Sequence, residues 1–287
     1  MTTFARSSWL APRVVAIGAL WIARTLAGLL VAMPIVYAIS GSGMTHGPER
    51  DAPLFRAGAL ALLELARVGS APLNSALKTA FLLAGSCAVL GLIPLGSVLD
   101  LLGRGHAEEL GARALRGVAL FPRFLGLSVI TLLGQAALVI AGSLLGGALG
   151  AALRGHDERV ATLLPLAIYL LTLISCVCLG AIQDVARAVA VGRDLDARAA
   201  LLEALRVLRE QTLALLGGAY PSVMGSLCAW LASAWVLGKI ALGDAKPSAI
   251  VLAFCVHQIA MLLSVALRVR WLDRALELGA RVDSARD

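Results

Sequence analysis

The side chains able to do chemistry in this chain of 287 residues are few, and almost all lie in or beside apolar runs. Arg24 stands inside Val14–Ile39. Asp184 and Arg187 follow the end of Ala161–Ile182. His257 and Gln258 lie midway along Ser248–Leu267, beside Cys255. Pro221 sits in Leu213–Leu237 among Gly217, Gly218, Tyr220 and Gly225. An arginine at a bilayer centre costs roughly 2.5–3.5 kcal/mol on insertion scales. Arg24 is therefore a counter-ion or substrate site, a structural ion pair, or a side chain that snorkels to the headgroups beside Trp21. A membrane histidine relays protons or binds metal. His257 has no second ligand at i+3 or i+4, so the spacing favours an interhelical hydrogen bond to Gln135 or to a serine on another span. Asp184 and Arg187 are three apart on a helix and can pair, fixing the membrane exit. Pro221 should kink its helix, and such breaks line binding sites in transporters.

The remaining chemistry is sparse. Cys176 and Cys178 project about 200° apart on a helix and cannot hold one metal from it. Cys87, Cys228 and Cys255 lie in apolar runs like the other two, which points to small buried hydrophobes and no structural disulfide. No Walker A loop, paired metal-binding histidines or Gly-x-Ser-x-Gly elbow occurs. His46, His106 and His156 lie in connections. No Asp or Glu sits mid-run, which argues against a carrier built on buried carboxylates. These residues imply neither catalysis, nor a cofactor, nor a metal.

The elements that must position these residues follow from composition. Hydrophobic residues make up 59% of the chain and charged ones 15%, with mean hydropathy +0.86. A soluble domain of this size could not hide so much apolar surface. Six runs are long enough to cross a bilayer: 14–39, 79–99, 124–150, 161–182, 213–237 and 248–267. Lipid offers backbone groups no water, so the runs are helices. The fold class is all-α: a polytopic bundle of six transmembrane helices with amphipathic interfacial helices between them, forming one integral membrane domain over 1–287. Ala38-Ile39-Ser40 resembles a signal-peptide cleavage site. The run before it is too long for such a peptide, so an uncleaved first span is expected.

Twenty-two of the 25 basic residues are arginine, a bias that suggests a GC-rich bacterial genome. The net charge of +7 is distributed between the runs, so it reads as membrane topology and not as nucleic-acid binding. Sixteen basic residues fall in the N-terminus, the second and fourth connections and the C-terminus, against eight in the other connections. That asymmetry places both termini in the cytoplasm of an inner membrane.

Asp51–Val68, Ala107–Leu120, Asp194–Glu210 and Val269–Val282 have helical apolar spacing with arginines between. They read as interfacial helices or, alternatively, as a docking face for a partner. In Asp194–Glu210 the apolar face is expected at Leu201, Leu205 and Leu208. Small residues at Gly142, Gly146 and Gly150, and at Gly218, Ser222 and Ser226, should let helices pack closely, chiefly within the monomer. Pro34 and Pro94 also fall inside spans.

Phe121-Pro122-Arg123-Phe124-Leu125, Asp184-Val185-Ala186-Arg187 and Phe81-Leu82-Leu83-Ala84-Gly85 carry a family resemblance. On them the chain resembles uncharacterised six-span bacterial integral membrane proteins, distantly similar to the membrane domain of some glycerophosphodiester phosphodiesterases. The resemblance implies a fold and no activity, since the phosphodiesterase's catalytic barrel is a separate soluble domain. Two functions are expected from different classes. The first is a non-enzymatic membrane scaffold or accessory subunit, whose partners are the bilayer and a cytoplasmic or membrane protein. The alternative is a transporter or channel subunit for a small or amphipathic solute, with Arg24 and Pro221 near the path. Oligomeric state is not encoded in these patterns.

Overall fold

The computed structural model describes residues 4–41, 70–104, 110–153, 158–239 and 247–284. The expected surface helix at Asp51–Val68 and the three connection histidines lie outside the described residues. Among the described residues there is no strand, and the fold is an all-α helical bundle. The helices are α1 (Phe4–Gly41), α2 (Ser70–Leu90), α3 (Leu92–Arg104), α4 (Leu110–Ala152), α5 (Glu158–Arg193), α6 (Ala197–Glu210), α7 (Thr212–Lys239) and α8 (Pro247–Ser284). Six segments are long and apolar enough to cross a membrane: Pro12–Ala38, Asn74–Arg104, Gly111–Ala152, Arg159–Arg193, Thr212–Lys239 and Ser248–Arg281. Five of them contain an expected run whole, and Pro12–Ala38 covers the run 14–39 to within one residue.

The helices outrun the apolar runs. At 1.5 Å per residue, the 43 residues of α4 extend about 65 Å and the 38 of α8 about 57 Å. A hydrocarbon core is only about 30 Å thick. The elbows expected at Ala107–Leu120 and Val269–Val282 are therefore not separate helices where they are described. They are the first turns of α4 and the last turns of α8. Nothing interrupts α8, since no glycine or proline occurs between Ser248 and Leu278. In α4, Pro122 removes one backbone bond, but Leu120 and Phe124 on either side are buried, and their packing carries the helix through.

One elbow does stand alone. Asp194, with φ of 53°, turns the chain out of α5, a left-handed conformation that Asp tolerates. Asp196 then caps α6, its carboxylate accepting the Ala199 N–H at 2.7 Å. Helix α7 runs without interruption through Pro221, where the kink is expected. An interruption falls in the second span, at Gly91 between α2 and α3. Pro94, three residues on, has no N–H to offer the Leu90 carbonyl.

The chain forms two compact units. One comprises residues 1–95 and 225–267, where α1 packs against α2. The other comprises 96–224 and 268–287 and holds a dense core of Leu127, Ile182, Val185, Val189, Val207, Leu215, Trp271, Ala275 and Leu278. That core gathers the ends of α4, α5, α7 and α8 around α6. The middle of α5 contrasts with it: Leu163, Leu166, Leu170, Leu171 and Leu173 are all exposed, as side chains that face lipid would be.

Within this second unit α4 and α5 run antiparallel along a seam set by glycines. Gly142 faces Thr172, Gly146 faces Tyr169, Gly150 faces Pro165 and Gly134 faces Leu179. A methyl on Gly146 would come within 2.8 Å of the Tyr169 ring. The stripe expected to pack within the monomer does so, because only glycine lets the two backbones come this close. Gln135 adds a polar tie, donating to the Cys176 carbonyl at 3.0 Å. Gly218 plays the same part against Trp271, where a methyl would sit 2.7 Å from the indole.

Candidate functional site

At the lower end of that seam the polar groups converge on Asp184, which is 2% exposed. Its position on α5 turns it toward α8, where Arg268 and Trp271, three apart, share a face. Arg268 grips the carboxylate with both terminal nitrogens. The Trp271 Nε1–H donates to it at 2.8 Å. Arg187 donates from its own helix at 3.4 Å. Arg187 reaches α4 as well, donating to the Ser128 hydroxyl at 2.8 Å and lying 5.7 Å from the centre of the Phe124 ring. Its Nε is buried and finds no acceptor among the described residues. The carboxylate thus ties α5 to α8 and is shared by two guanidiniums, of which Arg187 extends the tie to α4.

A second cluster mounts α6. Glu203, buried, accepts from Arg193 at 3.1 Å and from Arg206 at 2.9 Å. Arg193 also donates to the Gly279 carbonyl at 2.7 Å. Ala200, Ala204 and Val207 complete the buried side of α6. The helix is rotated from the expected face: Leu201 and Leu208 pack against the core, but Leu205 is turned out and 43% exposed. The reason is Glu203, whose two arginine partners hold it inward. The outward face reads Arg198, Leu202, Leu205, Arg209 at spacings of four, three and four, one stripe along the helix. Arg123 pairs with the exposed Asp194 at the turn before α6. That hydrogen bond and the adjacent positive charge hold the Asp194 carboxyl below its ordinary value of 3.8. A third buried carboxylate, Asp100 on α3, meets Arg104 at 3.2 Å and Arg116 at 3.3 Å.

The first unit has its own, thinner polar contact. Thr25 donates to Gln258 Oε1 at 3.5 Å, joining α1 to α8, and its hydroxyl lies equally far from the Met261 sulfur. His257 stands edge-on to Trp230, ring centres 5.0 Å apart. The partner expected for His257 is Gln135 or a serine; the ring instead meets Trp230, and Gln135 is engaged with Cys176. Arg24 is exposed on α1. Trp21 Nε1 and Ser233 Oγ are buried without an acceptor or donor among the described residues.

Of the expected residues, then, Asp184 and Arg187 meet each other, and Gln258 meets the neighbour of Arg24. Pro221 joins neither group: it is exposed on α7. The residues that sequence reasoning missed are Arg268, Trp271 and Ser128. A signal existed, since Arg268 and Trp271 repeat the i, i+3 spacing of Asp184 and Arg187 just beyond an apolar run. No protein family, curated protein or solved structure matches the chain.

Proposed function

We propose that this chain is a non-enzymatic scaffold or accessory subunit of a bacterial inner membrane, with both termini cytoplasmic, that docks a protein partner on α6. The observation that carries the reading is the mounting of that helix. Its inner side is locked by Glu203, Ala200, Ala204 and Val207, while Arg198, Leu202, Leu205 and Arg209 stand outward in one line. No ion pair is formed by Arg198 or Arg209 among the described residues. Two leucines between two arginines fit an apolar ridge flanked by carboxylates on the partner. The orientation rests on the excess of basic residues on that side of the chain.

Crosslinking in native membranes tests this. The wild type should capture a partner that is lost in both Arg198→Glu/Arg209→Glu and Leu202→Ala/Leu205→Ala, with all three proteins equally stable. Reversing the partner's carboxylates to lysine should restore capture by the Glu variant. The same proteins captured by all three forms would refute the reading.

A second reading is a transporter or channel subunit for a small or amphipathic solute. The Thr25–Gln258 contact between spans, with Trp21 Nε1 and Ser233 Oγ left unpartnered in the same unit, favours it. Vesicle flux that responds to Gln258→Leu and not to the α6 variants would select this reading over the first.

A further inference from the structure

We propose that the Asp184 cluster takes a phosphate-bearing anion at its open edge, and that a phospholipid headgroup is the source its position favours. This is independent of docking on α6. The argument starts from charge. Asp184 carries one negative charge, and Arg187 and Arg268 carry two positive ones. None of the three has another charged partner among the described residues, so the cluster keeps one uncompensated positive charge. Arg187 is only 8% exposed, and its buried Nε has no acceptor. A charge so placed is costly unless an anion lies close by.

The way in is through Arg268, which remains 31% exposed. Asp184 occupies one hydrogen on each of its two terminal nitrogens. The other three guanidinium hydrogens remain for a second anion, and their fork matches phosphate oxygens. Depth names the source. Asp184 lies two residues beyond the apolar run ending at Ile182, and Arg268 one residue beyond the run ending at Leu267. That is where headgroup phosphates sit, and the Trp271 indole beside them suits the same layer.

The test loads the full-length protein in detergent with phosphatidylglycerol, whose only charge is its phosphate, or with phosphatidylcholine, whose phosphate has its own ammonium partner. Native mass spectrometry counts the lipid retained. One surface charge contact predicts about fivefold preference for phosphatidylglycerol. Arg268→Gln should abolish the preference. Ser128→Asp should do so too, because it seats a carboxylate against Arg187 and supplies the missing charge from within, and it should not lower thermal stability. Ser128→Ala should keep the preference. Equal retention of the two lipids by the wild type overturns the headgroup assignment, whatever the variants do. If inorganic phosphate then raises the melting temperature of the wild type but not of Ser128→Asp, the site takes free phosphate. No phosphate effect overturns the site itself.

Discussion

Replacing Asp184 by Asn removes the charge that two guanidiniums share and keeps the shape of the side chain. Breaking a buried ion pair from one side costs roughly 3–5 kcal/mol, because the remaining charge stays buried. Here two charges are orphaned, but unequally. Arg187 is 8% exposed and cannot reach water without leaving Ser128 and Phe124, whereas Arg268 is 31% exposed and solvent screens it. Asn still accepts the Trp271 N–H. The expected loss is therefore at the lower end, about 3 kcal/mol. Detergent-unfolding curves in micelles would measure it, and Trp271, in contact with residue 184, makes tryptophan fluorescence a local reporter. The decisive companion is Asp184→Leu/Arg187→Met/Arg268→Met, which replaces the whole cluster by apolar groups. Such replacements of buried ion clusters are often neutral or stabilising. A loss below about 1 kcal/mol for the Asn variant would show that Asp184 does not bind these helices together. A triple variant as unstable as the single one would show that volume, and not charge, is what matters there.

Three further outcomes follow from the packing and the caps. Gly146→Ala drives a methyl into the Tyr169 ring and should cost about 1–3 kcal/mol, whereas Gly147→Ala meets nothing within 4 Å and should be harmless in the same thermal unfolding assay. Asp196→Ala removes the α6 cap and should cost about 1 kcal/mol, seen as faster amide exchange at residues 197–199. The Asp194 carboxyl has a lower pKa folded than unfolded, so its tie to Arg123 is fully present above the unfolded value and is lost as pH falls through the folded one. An NMR titration of labelled aspartate should place that loss below pH 3.8, and Asp194→Asn should remove it while keeping the turn, since Asn also tolerates positive φ.

The six spans were legible because a run of some twenty apolar residues has few alternatives in water or lipid. The glycine stripe of Gly142, Gly146 and Gly150 was legible for a similar reason: a repeat of four marks one helix face. The ends of the helices were not. Hydropathy drops where the chain leaves lipid, but a helix need not stop there, and the stretch from Ser248 to Leu278 contains no residue that would stop it. Pro221 likewise constrains one turn of α7 without ending the helix. Least legible was the cluster. Asp184 meets Arg268 and Trp271 across 84 and 87 residues, and local spacing carries no information at that range. The rotation of α6 was hidden likewise, because the pull of Arg193 on Glu203 is a tertiary fact.

The second unit divides its labour along its helices. Where α5 faces lipid, leucines project outward and association between helices has no hydrophobic drive, so close approach at glycines must supply it. Glycine contacts fix distance but tolerate sliding by a helical turn. The clusters at the other end do not tolerate it. Moving α8 by one turn, about 5.4 Å, would take Arg268 and Trp271 away from Asp184 together and strand a buried carboxylate. Glu203 sets α6 against Arg193 in the same way, and Arg193 in turn holds the Gly279 carbonyl of α8. The buried charges are thus best understood as devices for register more than for stability, which is the use best attested for such groups. That is why the apolar replacement of the Asp184 cluster, if it leaves stability intact, should still loosen the α5–α8 register. Disulfide trapping between cysteines introduced at Val189 and Gly279, which touch, should then become less selective over the pairs one turn away.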